Sequence, residues 1–156
     1  MVKSEITSRL SSISNSVVLT QTDTTVGFLS QNEKKLYEIK SRKTTKPFIT
    51  VYSDFKTFAS LNRVPEKNKK LVRRSKKTTF IVKNRAFRVA KNSLNSQIIR
   101  DVKWSYSTSA NESGKKFSRE FCEYKADIII EDKNGLKENS SSTLLKINGI
   151  KKVRIR

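Results

Sequence analysis

The fold this sequence predicts is α/β: a twisted mixed sheet flanked by helices, in a single domain over residues 1–156. Three observations lead there. Short β-branched apolar runs recur between polar or turn residues, as strands do. Between them lie segments whose apolar residues fall three or four apart, as on a helix face. The 156 residues, 35% of them hydrophobic, suffice for one core without disulfides or a metal.

Taken in chain order, Glu5 to Ile13 has helical spacing, and Ser16 to Thr20 (SVVLT) is the first strand. Asn32 to Arg42, with Leu36 and Ile39, is the next helix, followed by a strand from Phe48 to Tyr52 (FITVY). Thr78 to Val82 and Ala86 to Val89 are strands, Leu94 to Val102 a helix built on Ile98 and Ile99, and Trp104 to Thr108 a strand. Ser118 to Tyr124 is helical, and Ala126 to Glu131 and Ser142 to Ile147 complete the strands. The connections are too long for a sheet made only of hairpins, so strands of both directions with helices packed on them are expected.

Charge and residue types narrow the chemistry. The chain carries 34 Lys and Arg against 14 Asp and Glu, a formal charge of +20, which points to an anionic partner such as nucleic acid or nucleotide. A drift of the surface toward lysine would raise the charge in the same way. There is no histidine, and Cys122 is the only cysteine. That excludes an internal disulfide, a Ser-His-Asp triad, a Cys-His pair and His-ligated metals. Catalysis would rest on carboxylates, Lys, Arg, hydroxyls or Mg²⁺. Without a histidine to activate it, Cys122 reads as a small core residue and Trp104 as packing. The polar start MVKSEITSRLSSISNS and the absence of a long apolar run read as a soluble, cytoplasmic protein with no membrane segment.

Residues 67–91 hold eleven Lys or Arg and no acid, with Phe80, Ile81, Val82, Phe87 and Val89 among them. A half-buried strand pair would turn the apolar side chains inward and leave a basic stripe outside, where Arg73, Arg74, Lys76 and Lys77 would meet RNA phosphates. A solvated basic face is the plainer alternative.

Three further segments are polar and adjoin strand ends. In Thr20-Gln21-Thr22-Asp23-Thr24-Thr25-Val26-Gly27-Phe28 a strand runs into hydroxyls and a glycine before a helix, a turn that presents donors to a small ligand or caps the helix. Lys40-Ser41-Arg42-Lys43-Thr44-Thr45-Lys46-Pro47-Phe48 places four cations at a helix end, where they complement the helix dipole or clamp a triphosphate. Tyr106-Ser107-Thr108-Ser109-Ala110-Asn111-Glu112-Ser113-Gly114 ends a strand in hydroxyls, an amide and a glycine suited to holding a nucleotide without histidine.

The last segment resembles the S-T-S-A-N-x-S-G pattern of the YrdC/TsaC family. In the same order Thr22-Asp23-Thr24-x-x-Gly27 is similar to that family's P-T-D/E-T-V-Y-G turn, and Lys40-x-Arg42-x-x-x-Lys46-Pro47-Phe48 to its K-x-R-P-x-x-K-P-L stretch. Thr79-Phe80-Ile81, Arg88-Val89, Ser142-Thr143-Leu144-Leu145 and Val153-Arg154 match shorter elements, so the resemblance spans about residues 16–156. Gln21, Val26 and Lys43 stand where the pattern has Pro, Tyr and Pro, and Arg74-Ser75-Lys76-Lys77 replaces W-P-G-P.

The resemblance implies a YrdC-like domain with a concave basic surface. It implies condensation of L-threonine, bicarbonate and ATP, with Mg²⁺, into threonylcarbamoyl-AMP and pyrophosphate, the group then passing to tRNA through a separate threonylcarbamoyl transferase. By position, Lys40 and Arg42 would be catalytic, Thr24, Ser107, Thr108 and Ser109 would line the threonine and carbamate, and Asn111 and Ser142 would hold the nucleotide. Lys46, Arg88 and Arg154, with the catalytic pair, would bind phosphates and carboxylate. The alternative is a non-catalytic relative that binds nucleotide, double-stranded RNA or tRNA through the basic run.

Overall fold

The computed structural model describes residues 13–156. The helix expected over Glu5 to Ile13 lies outside these residues except at Ile13, which is helical. The chain then runs β1 (Val18–Gln21), β2 (Val26–Ser30), α1 (Glu33–Lys40), β3 (Ile49–Tyr52) and α2 (Phe55–Leu61). A 3-10 turn (Glu66–Asn68) leads into α3 (Lys69–Arg74), β4 (Thr78–Val82), β5 (Arg85–Val89), α4 (Leu94–Val102) and β6 (Trp104–Ser109). The remainder is α5 (Arg119–Lys125), β7 (Ile128–Ile130), β8 (Thr143–Ile147) and β9 (Lys152–Arg154). Among the described residues nine strands form one sheet in the order β7-β1-β2-β6-β3-β5-β4-β8-β9, with parallel and antiparallel neighbours, the mixed sheet the sequence predicts.

Local chemistry sets the boundaries. The side chains of Asn32, Asp54, Ser93 and Ser118 each accept an amide hydrogen from the third residue on, so α1, α2, α4 and α5 start on their caps. Ser41, left-handed at φ 46°, stops α1. Lys83 and Asn84, both at positive φ, make the tight two-residue turn that joins β4 to β5.

Two expectations are corrected. The Thr20 to Phe28 segment enters a strand, not a helix: β2 folds back on β1 with Thr20 opposite Gly27, so the hydroxyls form a hairpin turn. The basic run is not a stripe on a strand pair, because its first part is helix α3 and Arg88 on β5 is buried.

Strand alternation divides the sheet into two faces. On one, α1 and α5 bury Leu19, Phe28, Leu36, Phe48 and Cys122 at one end. At the other end of that face α2 and α3 bury Phe58, Val72, Phe80 and Phe87. The opposite face is covered only in part, where Ile99 of α4 packs on Val18, Leu29, Val51 and Ala90. Its uncovered half is an open concavity. Gly27 is needed at that edge, since a Cβ there would lie 2.9 Å from Thr22 Cγ2 and 3.0 Å from the Thr108 carbonyl oxygen. Gly27→Ala is expected to cost about 1–3 kcal/mol of stability. Gly149→Ala, with nothing within 4 Å, should shift the denaturation midpoint far less; equal shifts would rule out the close approach.

Candidate functional site

The open half of the α4 face holds a cavity of about 290 Å³. One wall is the hairpin turn after β1. There the Thr22 hydroxyl donates to the Thr25 carbonyl at 2.6 Å, accepts the Thr24 amide at 3.1 Å and lies 3.2 Å from the Thr24 hydroxyl. The turn is thereby fixed by its own side chains, a local competition with regular structure that threonines favour. Gln21, where the family pattern has proline, accepts the Lys137 amide at 2.9 Å, and the Thr25 hydroxyl accepts that of Asn139 at 3.1 Å. These bonds draw residues 137–142 alongside the turn and bring Ser141 and Ser142 to the cavity.

The floor is the end of β6. Ser107 pairs with Leu29 on one side and Ile49 on the other, so the strand end is held between two neighbours. Ser107, Thr108 and Ser109 all line the cavity. Lys40, the last residue of α1, is itself buried, and its ammonium donates to the carbonyl oxygens of Ser109 at 3.0 Å and Asn111 at 2.7 Å and to Asn111 Oδ1 at 2.7 Å. Burial pushes its pKa down from 10.5 to about 8. Lys40 therefore ties the Ser109–Asn111 corner to α1 and does not line the cavity.

The cationic side is built from three arginines. Ser41 turns the chain out of α1 and sends Arg42 into the cavity, with its guanidinium 5.1 Å from the Phe48 ring centre. Arg88, only 4% exposed, projects from β5, and its Nε donates to Asp23 Oδ1 at 3.1 Å. Its Nη1 reaches Thr79 Oγ1 at 3.4 Å, and that hydroxyl lies 2.8 Å from Ser142 Oγ. Arg156 lines the third side, its Nε donating to the Ser142 carbonyl at 3.3 Å.

Of the residues singled out from sequence, Thr24, Arg42, Arg88, Ser107, Thr108, Ser109 and Ser142 meet at this cavity. Asn111 lines an adjoining depression of about 280 Å³ that shares Thr25, Ser109 and Ser141 with it. Lys46 is exposed, with its carbonyl accepting the Tyr37 hydroxyl at 3.2 Å, and Arg154 is exposed on β9; neither lines the cavity. Arg73 and Arg74 line a separate depression with Lys69, Lys70 and Lys91, and Lys76 and Lys77 line one beside Asp23. Sequence reasoning missed Arg156 and the Asp23 partner of Arg88. An acid in the middle of a hydroxyl turn, in a chain so poor in acids, was the signal for the second.

The family model for Sua5, YciO and YrdC, described as Telomere recombination, matches residues 13–156. The sequence matches none of the curated proteins compared with it. The fold is similar to that of P. abyssi Sua5: a doubly substituted form is 20% identical at a TM-score of 0.77, covering 95% of this chain and 52% of that one. The same protein complexed with L-threonine gives 20% identity and 0.71, covering 90% and 50%. E. coli YciO is 15% identical at 0.75, covering 96% of this chain and 86% of that one. Full-length HypF in a phosphate- and nucleotide-bound form is 14% identical at 0.70, with 97% of this chain and 28% of that one covered. This chain spans about half the length of the Sua5 structures it matches. With a family match running from residue 13 to the last residue and the fold in agreement, the chain belongs to the Sua5/YciO/YrdC family.

Proposed function

We propose that this chain condenses L-threonine, bicarbonate and ATP into threonylcarbamoyl-AMP and pyrophosphate, for transfer to tRNA by a separate enzyme. The observation that carries the proposal is the convergence of the hydroxyl turn, the β6 end and three arginines on one cavity. The solved relatives complexed with L-threonine and bound to phosphate and nucleotide support both ligand classes. Every substrate brings negative charge, and Arg42, Arg88 and Arg156 against the single Asp23 leave the cavity net positive.

In this reading Thr24 and Ser107 hydrogen-bond the polar groups of threonine. Arg42 and Arg156 hold the phosphates and the amino-acid carboxylate, and Ser142 and Asn111 position the nucleotide. Attack at the α-phosphorus calls for alignment and charge stabilisation more than for a strong base, which suits a chain without histidine. Mg²⁺ fits as an ion carried by the triphosphate, where it would offset phosphate charge. Among the described residues no group of three or more His, Cys, Asp or Glu is gathered to hold a resident ion.

The test is pyrophosphate release with threonine, bicarbonate and MgATP. Release should require threonine and fall roughly a hundredfold or more in Arg42→Ala; release indifferent to threonine would refute the assignment. The Lys40 amine adds a pH signature. A neutral amine has two donors for three acceptors, so release should decline above about pH 8, and Lys40→Arg, charged throughout, should lack that inflection. Unfolding does not explain such a decline. With its folded pKa lowered, this group binds fewer protons in the folded chain between about pH 8 and 10.5, so it adds stability as pH rises through that window.

A second reading, binding of duplex RNA or tRNA, is favoured by the basic depression at α3. There the Lys91 pKa is lowered by burial first, then by the charges of Arg73 and Lys76, so these cations crowd together with little acid to offset them. Neutralising Arg73, Arg74, Lys76 and Lys77 should weaken tRNA binding and flatten its dependence on log salt by up to about 3 to 4. An unchanged slope would remove this surface from RNA binding.

A further inference from the structure

The face of the sheet turned away from the arginine cavity carries a second opening that the proposed reaction does not use. Two separate cores cover this face, one under α1 and α5 and the other under α2 and α3. Between them the central strands β6, β3 and β5 are left partly bare. The resulting cleft, about 410 Å³, lies within the range of roughly 300–1,000 Å³ usual for small-ligand sites.

Register fixes what the cleft presents. Tyr106 lies opposite Thr50, Thr50 opposite Phe87, and Tyr52 opposite Trp104, so these side chains share one surface. Trp104 and Tyr106 meet edge to face, ring centres 5.1 Å apart at 83°, and both are only partly buried. They form a corner in which one planar ring can stack on one aromatic and abut the other.

The polar rim is as particular as the aromatic wall. Glu33 contributes a carboxylate from the first turn of α1; its Oε1 accepts the Tyr37 hydroxyl at 3.4 Å, and it forms no ion pair among the described residues. The Asn62 amide nitrogen donates to the Tyr52 hydroxyl at 2.8 Å and the Phe58 carbonyl at 3.3 Å, leaving its carbonyl oxygen as the acceptor for the cleft. The tight turn at Lys83 and Asn84 brings Asn84 and the exposed Arg85 to the mouth. A flat aromatic seat, acceptors on the rim and an exposed cation at the mouth are together complementary to a base that carries an amino group and is joined to a phosphate. A purely apolar peptide side chain would leave Glu33 Oε2 and the Asn62 carbonyl oxygen unmatched.

We propose that this cleft binds an unpaired base of single-stranded nucleic acid, stacked against Trp104 and Tyr106, with Arg85 on the adjoining phosphate. The site opens on the other face of the sheet from the arginine cavity, and Pro47 is the one residue that borders both.

Trp104 is the only tryptophan, so its fluorescence reports the cleft directly. The experiment titrates the full chain with a mixed-sequence single-stranded RNA ten-mer, and separately with each of the four nucleoside monophosphates. The expected result is saturable quenching, tighter for the ten-mer. Tyr106→Ala should weaken it roughly tenfold or more. Arg85→Gln, at an exposed position that the fold does not need, should weaken it several-fold while leaving pyrophosphate release unchanged. Arg156→Ala, at a residue that lines the arginine cavity and not the cleft, should leave the quenching intact, which separates failure of this site from failure of the cavity on the other face. No saturable quenching by the ten-mer overturns the proposal. So does quenching that survives unchanged in folded Arg85→Gln and Tyr106→Ala, and monophosphates binding as tightly as the ten-mer overturn the assignment to a strand.

Discussion

The buried ion pair between Arg88 and Asp23 is the contact on which the arrangement of the cavity depends. A guanidinium 4% exposed and a carboxylate 9% exposed have each lost most of their water, a loss of several kcal/mol per ion unless the partner is held in place. The pair joins β5 to the turn after β1, two segments 65 residues apart in sequence. Through Thr79 the same guanidinium reaches Ser142, the residue just before β8. Three walls of the cavity are thus parts of one polar network, and removing either ion would leave the other buried without compensation. Asp23 also limits what Arg88 can offer a ligand, so the net positive charge rests on Arg42 and Arg156.

The helices decide where the sheet stays open. Covering the α4 face only beside Val18, Leu29, Val51 and Ala90 leaves β6 to end in accessible hydroxyls. A glycine at position 27 lets the hydroxyl turn approach the strand, and Lys40 anchors the far corner from the opposite side. Hydroxyl side chains, a buried amine and guanidinium groups take the places that histidine or metal ligands fill in other sites. Each element works by position, so the fold and the proposed chemistry are hard to separate.

Much of this was legible in the sequence because strands and hydroxyl-rich segments leave local signals. The β-branched runs marked seven of the nine strands, and the three polar segments marked much of the cavity lining, from Thr22 to Gly27, at Arg42 and Pro47, and from Ser107 to Ser109. What escaped was either short or set by register. Helix α3, six residues of which four are basic, offers no periodic pattern, and α2 went unmarked although it is as long as α5 and Asp54 is a readable cap. Strand β2 was hidden because a glycine after hydroxyls reads equally as a helix entry or a hairpin. Arg154 was singled out by its match to the family pattern, and nothing local shows that Arg156, bonded to Leu144, brings its side chain to Ser142. The residue type of Lys40 was visible, but its burial against Ser109 and Asn111 was not.

Isothermal titration of L-threonine into the full chain, with and without MgATP and bicarbonate, tests the central claim most directly. The account predicts saturable one-to-one binding of L-threonine that tightens when the nucleotide is present, because the two ligands would lie side by side in one cavity, held by different residues and each in contact with the other. Binding of ATP with no heat from threonine under any condition would contradict it, and would leave the cavity a nucleotide site without an amino-acid partner.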